Sequence, residues 1–183
     1  MRDLRPTEKS EGYLYGDRLS APESVDRARK RIFGELKTLY IDLDNVLVDF
    51  RSAFPHVEPS LLEKYAGHLD DIPGIFNLMR PMANAVESFE ELAKLFDTYI
   101  LSTSPWDNPS AWCDKLLWVK THLGKPAYKR LILTHHKNLN LGDYLVDDRT
   151  KNGADRFRGE HIRFGSAQFP DWLAVTAYLR SAA

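Results

Sequence analysis

Twice in this chain an apolar run of strand length climbs directly into a pair of carboxylates. The first is Leu39-Tyr40-Ile41-Asp42-Leu43-Asp44 and the second is Tyr144-Leu145-Val146-Asp147-Asp148. A charged group at the end of a buried strand costs desolvation energy unless something compensates it. Asp42 and Asp44 are two residues apart, so on extended backbone they share a face. Such a pair reads as a built anionic site. Its natural complement is a hard cation such as Mg²⁺, which takes oxygen ligands. Two strand ends of this kind can meet at one sheet edge and hold a single ion.

The rest of the pattern agrees with such a sheet. Strands are expected at 38–43, 98–102, 130–134, 144–147 and 161–164. Helices are expected at 22–36, at 84–96, from Asn108 as cap with Pro109 in first position to Gly124, and at 170–180. Strands alternating with helices predict an α/β fold, a mostly parallel five-stranded sheet between helices. Ligands of such sheets bind beyond the carboxyl ends of the strands. Residues 50–83 are punctuated by Pro55, Pro59, Pro73 and Pro81. Short helices are expected there near 59–67 and 73–79, as a small helical cap inserted after strand one. The expected organisation is an N-terminal extension at 1–37, a core at 38–49 and 84–183, and the cap at 50–83.

Composition narrows the class. A chain of 183 residues with formal net charge −1 has no global field that favours a nucleic acid polymer or an anionic membrane. Its single cysteine, Cys113, excludes an internal disulfide and suits a reducing, cytoplasmic setting. No apolar run approaches the roughly 18–20 residues needed to span a bilayer. Arg27, Arg29, Lys30 and Arg31 read as a solvated helix face. Cys113 is expected to be buried in an amphipathic helix, and Trp112, Trp118 and Trp172 to pack helices on the sheet.

The polar residues fall where a parallel sheet binds ligands. Thr103 and Ser104 follow strand two and Lys137 follows strand three. Two acidic pairs, a hydroxyl pair and a lysine suit phosphoryl transfer, a reaction for which enzymes supply up to ~10²¹-fold acceleration. Asp42 is the candidate nucleophile and would form an aspartyl-phosphate. Asp44 would protonate the leaving oxygen and then activate water. Thr103 and Ser104 would donate to phosphate oxygens, and Lys137 would hold phosphate and nucleophile together. Asp42 and Asp44, the latter through its backbone carbonyl, would bind the metal with Asp147 and Asp148. His135 and His136 lack further ligands at transition-metal spacing and read as loop residues bordering the phosphate.

Asp42-Leu43-Asp44-Asn45-Val46 resembles the first motif of the haloacid dehalogenase (HAD) superfamily of phosphatases. Thr103-Ser104-Pro105, Leu133-Thr134-His135-His136-Lys137 and Asp147-Asp148-Arg149 are similar to the other three motifs as its 5′(3′)-deoxyribonucleotidase family writes them. The resemblance runs from about Thr38 to Gly165. It implies a Rossmann-like HAD fold and Mg²⁺-dependent dephosphorylation of nucleoside monophosphates, with the base held by cap aromatics. Phe50 matches a family aromatic; position and chemistry add Phe54, Phe76 and Trp106 to a stacking wall. Asn45 stands where the superfamily usually has Gly, and Asn tolerates left-handed backbone. Residues 81–85, Pro-Met-Ala-Asn-Ala, replace a Pro-Gly turn. Two alternatives stay open: a phosphatase for another small ester such as a sugar phosphate, and a non-catalytic phosphate-binding module. A second copy of the chain is kept as a candidate partner.

Overall fold

The computed structural model describes residues 36–183. The expected helix at 22–36, with its basic cluster, lies outside the described residues but for its last position. In chain order the elements begin with β1 (Thr38–Ile41), β2 (Val48–Asp49), α1 (Pro59–Lys64) and β3 (Arg80–Pro81). They continue with α2 (Ala85–Leu95), β4 (Asp97–Ser102), α3 (Ser110–His122) and β5 (Leu131–Leu133), and end with β6 (Tyr144–Asp147), β7 (Glu160–Arg163) and α4 (Trp172–Ala182).

Five strands pair in the order β5-β4-β1-β6-β7, every neighbouring pair parallel. β1 lies in the middle. Alternation along it sends Leu39 and Ile41 to one core, with Phe89 and Leu92 of α2 and with Trp172, Val175 and Leu179 of α4. Tyr40 points the other way, into a smaller cluster with Leu101, Leu145 and Phe157. Ala85, Phe89 and Leu92 recur at helical spacing, which is why α2 buries one stripe. Each fully buried aliphatic side chain contributes about 1.5–3 kcal/mol.

The chain goes from β1 to β4 and β5 on one side, then crosses to β6 and β7 on the other. The strand order therefore reverses beyond the carboxyl end of β1, where a crevice opens. Residues 50–79 enter there as short helical turns, and the β2–β3 antiparallel pair ties their two ends together.

Several expectations are corrected. β1 stops at Ile41, not at residue 43. After Asp42 bonds Val146 O at 2.9 Å, the backbone folds into a tight turn in which Leu47 and Val48 N–H both donate to Leu43 O. Asn45 sits in that turn at φ 57°, and Asn84 takes φ 61° in the segment 81–85 that replaces the family's Pro-Gly turn. Both use the left-handed tolerance of asparagine. The last helix starts at Trp172, with Asp171 accepting from Ala174 N. Asn108 does not cap α3; its side chain turns towards residues 70–72. Cys113 is exposed and Trp112 is 37% exposed, because α3 buries the opposite face, with Asp114, Lys115 and Trp118. Two charged residues on a buried face defeat any reading from hydrophobic periodicity. Trp118 and Trp172 are buried as expected.

Candidate active site

Asp42 follows β1, Asp147 ends β6 and Asp148 comes next, so two adjacent strands deliver three carboxylates to one place. Ligand atoms of Asp42, Asp147 and Asp148 all lie within 4.8 Å of one another. Lys137 reaches in from the turn after β5. Its Nζ is 2.5 Å from Asp147 Oδ2 and 3.0 Å from Asp42 Oδ1. The second contact is an ion pair off the hydrogen-bond axis, since Asp42 Oδ1 accepts no hydrogen bond. Burial alone would lower the Lys137 pKa, but Asp42 and Asp147 outweigh it and hold the ammonium above its ordinary value.

The carboxylates sit under strain of their own charge. Burial raises Asp147, Asp42 pushes the same way and Lys137 opposes it. Burial likewise lifts Asp148 to about 6; Arg149 opposes this, while Asp42 and Asp147 add to it. Asp148 Oδ1 is buried without a hydrogen bond, its nearest cation being Arg149 Nε at 3.4 Å. Two buried carboxylate oxygens without a donor, in an all-oxygen cluster, fit a hard divalent cation of the Mg²⁺ kind.

The Asp44 carboxylate lies outside that cluster. It is held by Lys115, a residue the sequence reading did not pick out, whose Nζ is 2.5 Å from Asp44 Oδ2. The same ammonium donates to Thr103 O at 2.6 Å and Ser102 Oγ at 3.1 Å. Burial pushes the Asp44 pKa up; Lys115 pulls it back and Asp42 adds to the rise. The one signal for Lys115 was positional: it falls four residues after Ala111 and three before Trp118, on the buried side of α3.

Thr103 spends its hydroxyl proton on Thr134 O, at 2.8 Å. Ser104 Oγ is buried with no partner, beside the same crevice. Arg149 pairs with Asp148, and the surrounding carboxylates keep its guanidinium firmly charged despite burial.

A cleft of about 530 Å³ rises from Asp44, Thr103 and Ser104. Its walls include Phe50, Phe76, Leu69, Asp70, Trp106 and His135. Phe50 and Phe76 face each other at 6.0 Å, and Lys115 Nζ lies 4.8 Å from the Phe76 ring. Phe54 does not line the cleft; it packs edge-on against Phe50 at 5.5 Å. Trp106 is 78% exposed at the mouth, with His135 edge-on to it at 5.8 Å. His136 is exposed and does not line the cleft.

This parallel sheet, with its acidic crevice beyond the central strand, is a haloacid dehalogenase-like fold. A solved haloacid dehalogenase-like hydrolase from Xanthomonas campestris matches 80% of this chain and 96% of its own at TM-score 0.51, with 9% identity. Sequence comparison goes further. The family described as 5′ nucleotidase, deoxy (Pyrimidine), cytosolic type C protein matches residues 52–171. A protein of Vibrio phage KVP40 that carries a provisional 5′(3′)-deoxyribonucleotidase name is 56% identical over 158 residues, 86% of this chain and 91% of its own. The human 5′(3′)-deoxyribonucleotidase, cytosolic type, is 31% identical over 156 residues, 68% of this chain and 77% of its own. The chain belongs to the 5′(3′)-deoxyribonucleotidase family and is a phosphoric monoester hydrolase.

Proposed function

We propose that this protein removes the phosphate from nucleoside monophosphates, deoxyribonucleotides first among them, through an aspartyl-phosphate on Asp42. The observation that carries the reading is the convergence of Asp42, Lys137, Asp147 and Asp148 at a polar recess that shares Asp44, Thr103 and Arg149 with the aromatic-walled cleft. Asp42, Asp147 and Asp148 would hold Mg²⁺, the Asp44 carbonyl being a further ligand. A cation bound there would neutralise the phosphate and allow an anionic nucleophile to approach it.

The chain's own groups account for the rest. Asp42 Oδ attacks phosphorus, and the bond to the ester oxygen breaks. Asp44, whose burial favours its protonated form and which Lys115 places, gives its proton to that oxygen. It then takes a proton from water, which releases phosphate and regenerates Asp42. Lys137 sits where it can contact a phosphate oxygen beside Asp42. Ser104 Oγ has its donor free for another, whereas Thr103 positions the loop through Thr134. Phe50, Phe76 and Trp106 form faces on which a base can stack. Residues 50–83 act as the cap over the core formed by 38–49 and 84–183. The single free thiol, Cys113, suits a cytoplasmic setting. All the residues named come from one chain, so the reading needs no second copy.

The test is phosphate release from deoxy- and ribonucleoside monophosphates and sugar phosphates, with Mg²⁺ and with EDTA, using Asp42→Asn as the blank. Mg²⁺-dependent release concentrated on deoxynucleotides is expected, and Asp42→Asn should stay folded and release none. Release from sugar phosphates alone would discard the substrate. Nucleotide binding without Mg²⁺ and without release would favour a binding module.

A further inference from the structure

One edge of α3 carries polar side chains that the chemistry above does not use, and they reach for residues 70–79. Asn108, 1% exposed, donates from Nδ2 to the carbonyls of Asp70 at 2.8 Å and Ile72 at 3.0 Å. Ser110 Oγ accepts from Gly74 N at 2.9 Å. Its own proton lies between Asn108 Oδ1 at 2.8 Å and Asp114 Oδ2 at 3.1 Å. Asp114, 5% exposed, accepts from Asn77 Nδ2 at 2.6 Å. One turn on, Trp118 Nε1 donates to Met79 O at 3.0 Å. Ser110, Asp114 and Trp118 recur every four residues, so a single helix face presents them.

Residues 70–79 contain only short 3-10 turns, Leu69–Asp71 and Ile75–Leu78. Such a segment has little internal hydrogen bonding to fix it, and buried polar groups that are fully satisfied specify one arrangement. Ile72, Ile75 and Met79 are buried in the core, and α3 with Asn108 supplies the polar anchors. Phe76 lies between the anchored points Gly74 and Asn77, and its ring lines the cleft.

We propose that Asn108, Ser110 and Asp114 are positioning residues for substrate selection. They clamp the 70–79 wall to α3, so Phe76 keeps a set place in the cleft it lines with Asp44 and Thr103 and favours an ester that carries a nucleobase over a small one. The preference rests on the nucleotidase reading; the clamp does not.

The experiment compares Asn108→Ala, Ser110→Ala, Asp114→Ala and Asp114→Asn with the parent. Steady-state kinetics with Mg²⁺ use a deoxyribonucleoside 5′-monophosphate and p-nitrophenyl phosphate. Hydrogen exchange is followed across residues 69–79. In the alanine variants KM for the nucleotide should rise about tenfold, the loss expected from one or two buried hydrogen bonds. The kcat for p-nitrophenyl phosphate should stay within about twofold. The Gly74 amide should exchange faster in Ser110→Ala. Asp114→Asn keeps an oxygen for Asn77 and should recover most of the nucleotide KM. Should Asn108→Ala fail to fold, part-exposed Ser110→Ala carries the test.

Exchange unchanged in all the variants overturns the clamp. Faster exchange with an unchanged nucleotide KM, or equal losses on both substrates, overturns its part in selection. A parent that cleaves p-nitrophenyl phosphate and no nucleotide fails the nucleotidase reading instead, and leaves the clamp to be judged by exchange.

Discussion

Replacing Lys115 with Met would remove the cation in contact with Asp44 while keeping most of the side-chain volume. Lys115 is 0% exposed and the Asp44 side chain 12%, so water screens the pair little. Stranding one partner of a buried ion pair costs about 3–5 kcal/mol when it stays charged. Asp44 has an escape, because burial and the Asp42 charge already favour its protonated form and Lys115 is the largest opposing influence. Once Asp44 takes up a proton, the expected loss settles near the lower bound, about 3 kcal/mol, which lowers Tm by about 6–12 °C. Once it has given its proton to the leaving oxygen, an Asp44 without Lys115 would be reprotonated from solvent and could not accept from water. Turnover should fall by about 10²–10⁴-fold, with phosphorylated enzyme accumulating and the acidic limb of kcat moving to higher pH. Chemical denaturation, a pH–rate profile and detection of the phosphoenzyme read these out. Asp44→Asn leaves Lys115 buried and unpaired, so the double variant should be more stable than the sum of the two by at least about 2 kcal/mol. A Lys115→Met protein within about 0.5 kcal/mol of the parent, turning over within about twofold of it, would refute the argument.

Asp148 makes the response to metal depend on pH. Its folded pKa of about 6 lies above the ordinary carboxyl value of 3.8, so the ionised form is disfavoured in the folded protein. The metal-free protein should therefore lose stability as pH rises from about 4 through about 6, and Mg²⁺ should restore it only where the carboxyl is ionised. Thermal melts should show a larger Mg²⁺-induced Tm rise at about pH 7.5 than at about pH 5; equal shifts would count against Asp148 as a ligand. Trp172→Phe keeps one aromatic ring but leaves a cavity and loses the 2.8 Å bond to Val46 O, and should cost about 2–4 kcal/mol in urea unfolding. Asn45→Gly should be nearly neutral, within about 1 kcal/mol, whereas Asn45→Val should cost more than about 2 kcal/mol, because a β-branched residue resists φ 57°.

The sequence by itself determined the parallel α/β fold, because short apolar runs alternate with amphipathic helices and this leaves few other arrangements. It also determined the chemical character of the site. Asp42, Lys137, Asp147 and Asp148 each follow or end a strand, and in a parallel sheet those ends share one edge. Local rules even carried Asn45, whose left-handed turn is a property of one residue. What periodicity misread was α3, since its buried face carries charge: Lys115 and Asp114 look like solvent residues in a one-dimensional pattern, and Cys113 and Trp112 look like core. Only the tertiary structure decided that Asp44 turns from the carboxylate cluster to Lys115, a partner 71 residues away. It alone made Asn108 an anchor for Asp70 and Ile72 and not a helix cap. Both outcomes depend on which distant polar groups are left without water in the folded chain. A buried donor takes whichever acceptor the packing brings to it, and sequence spacing does not encode that.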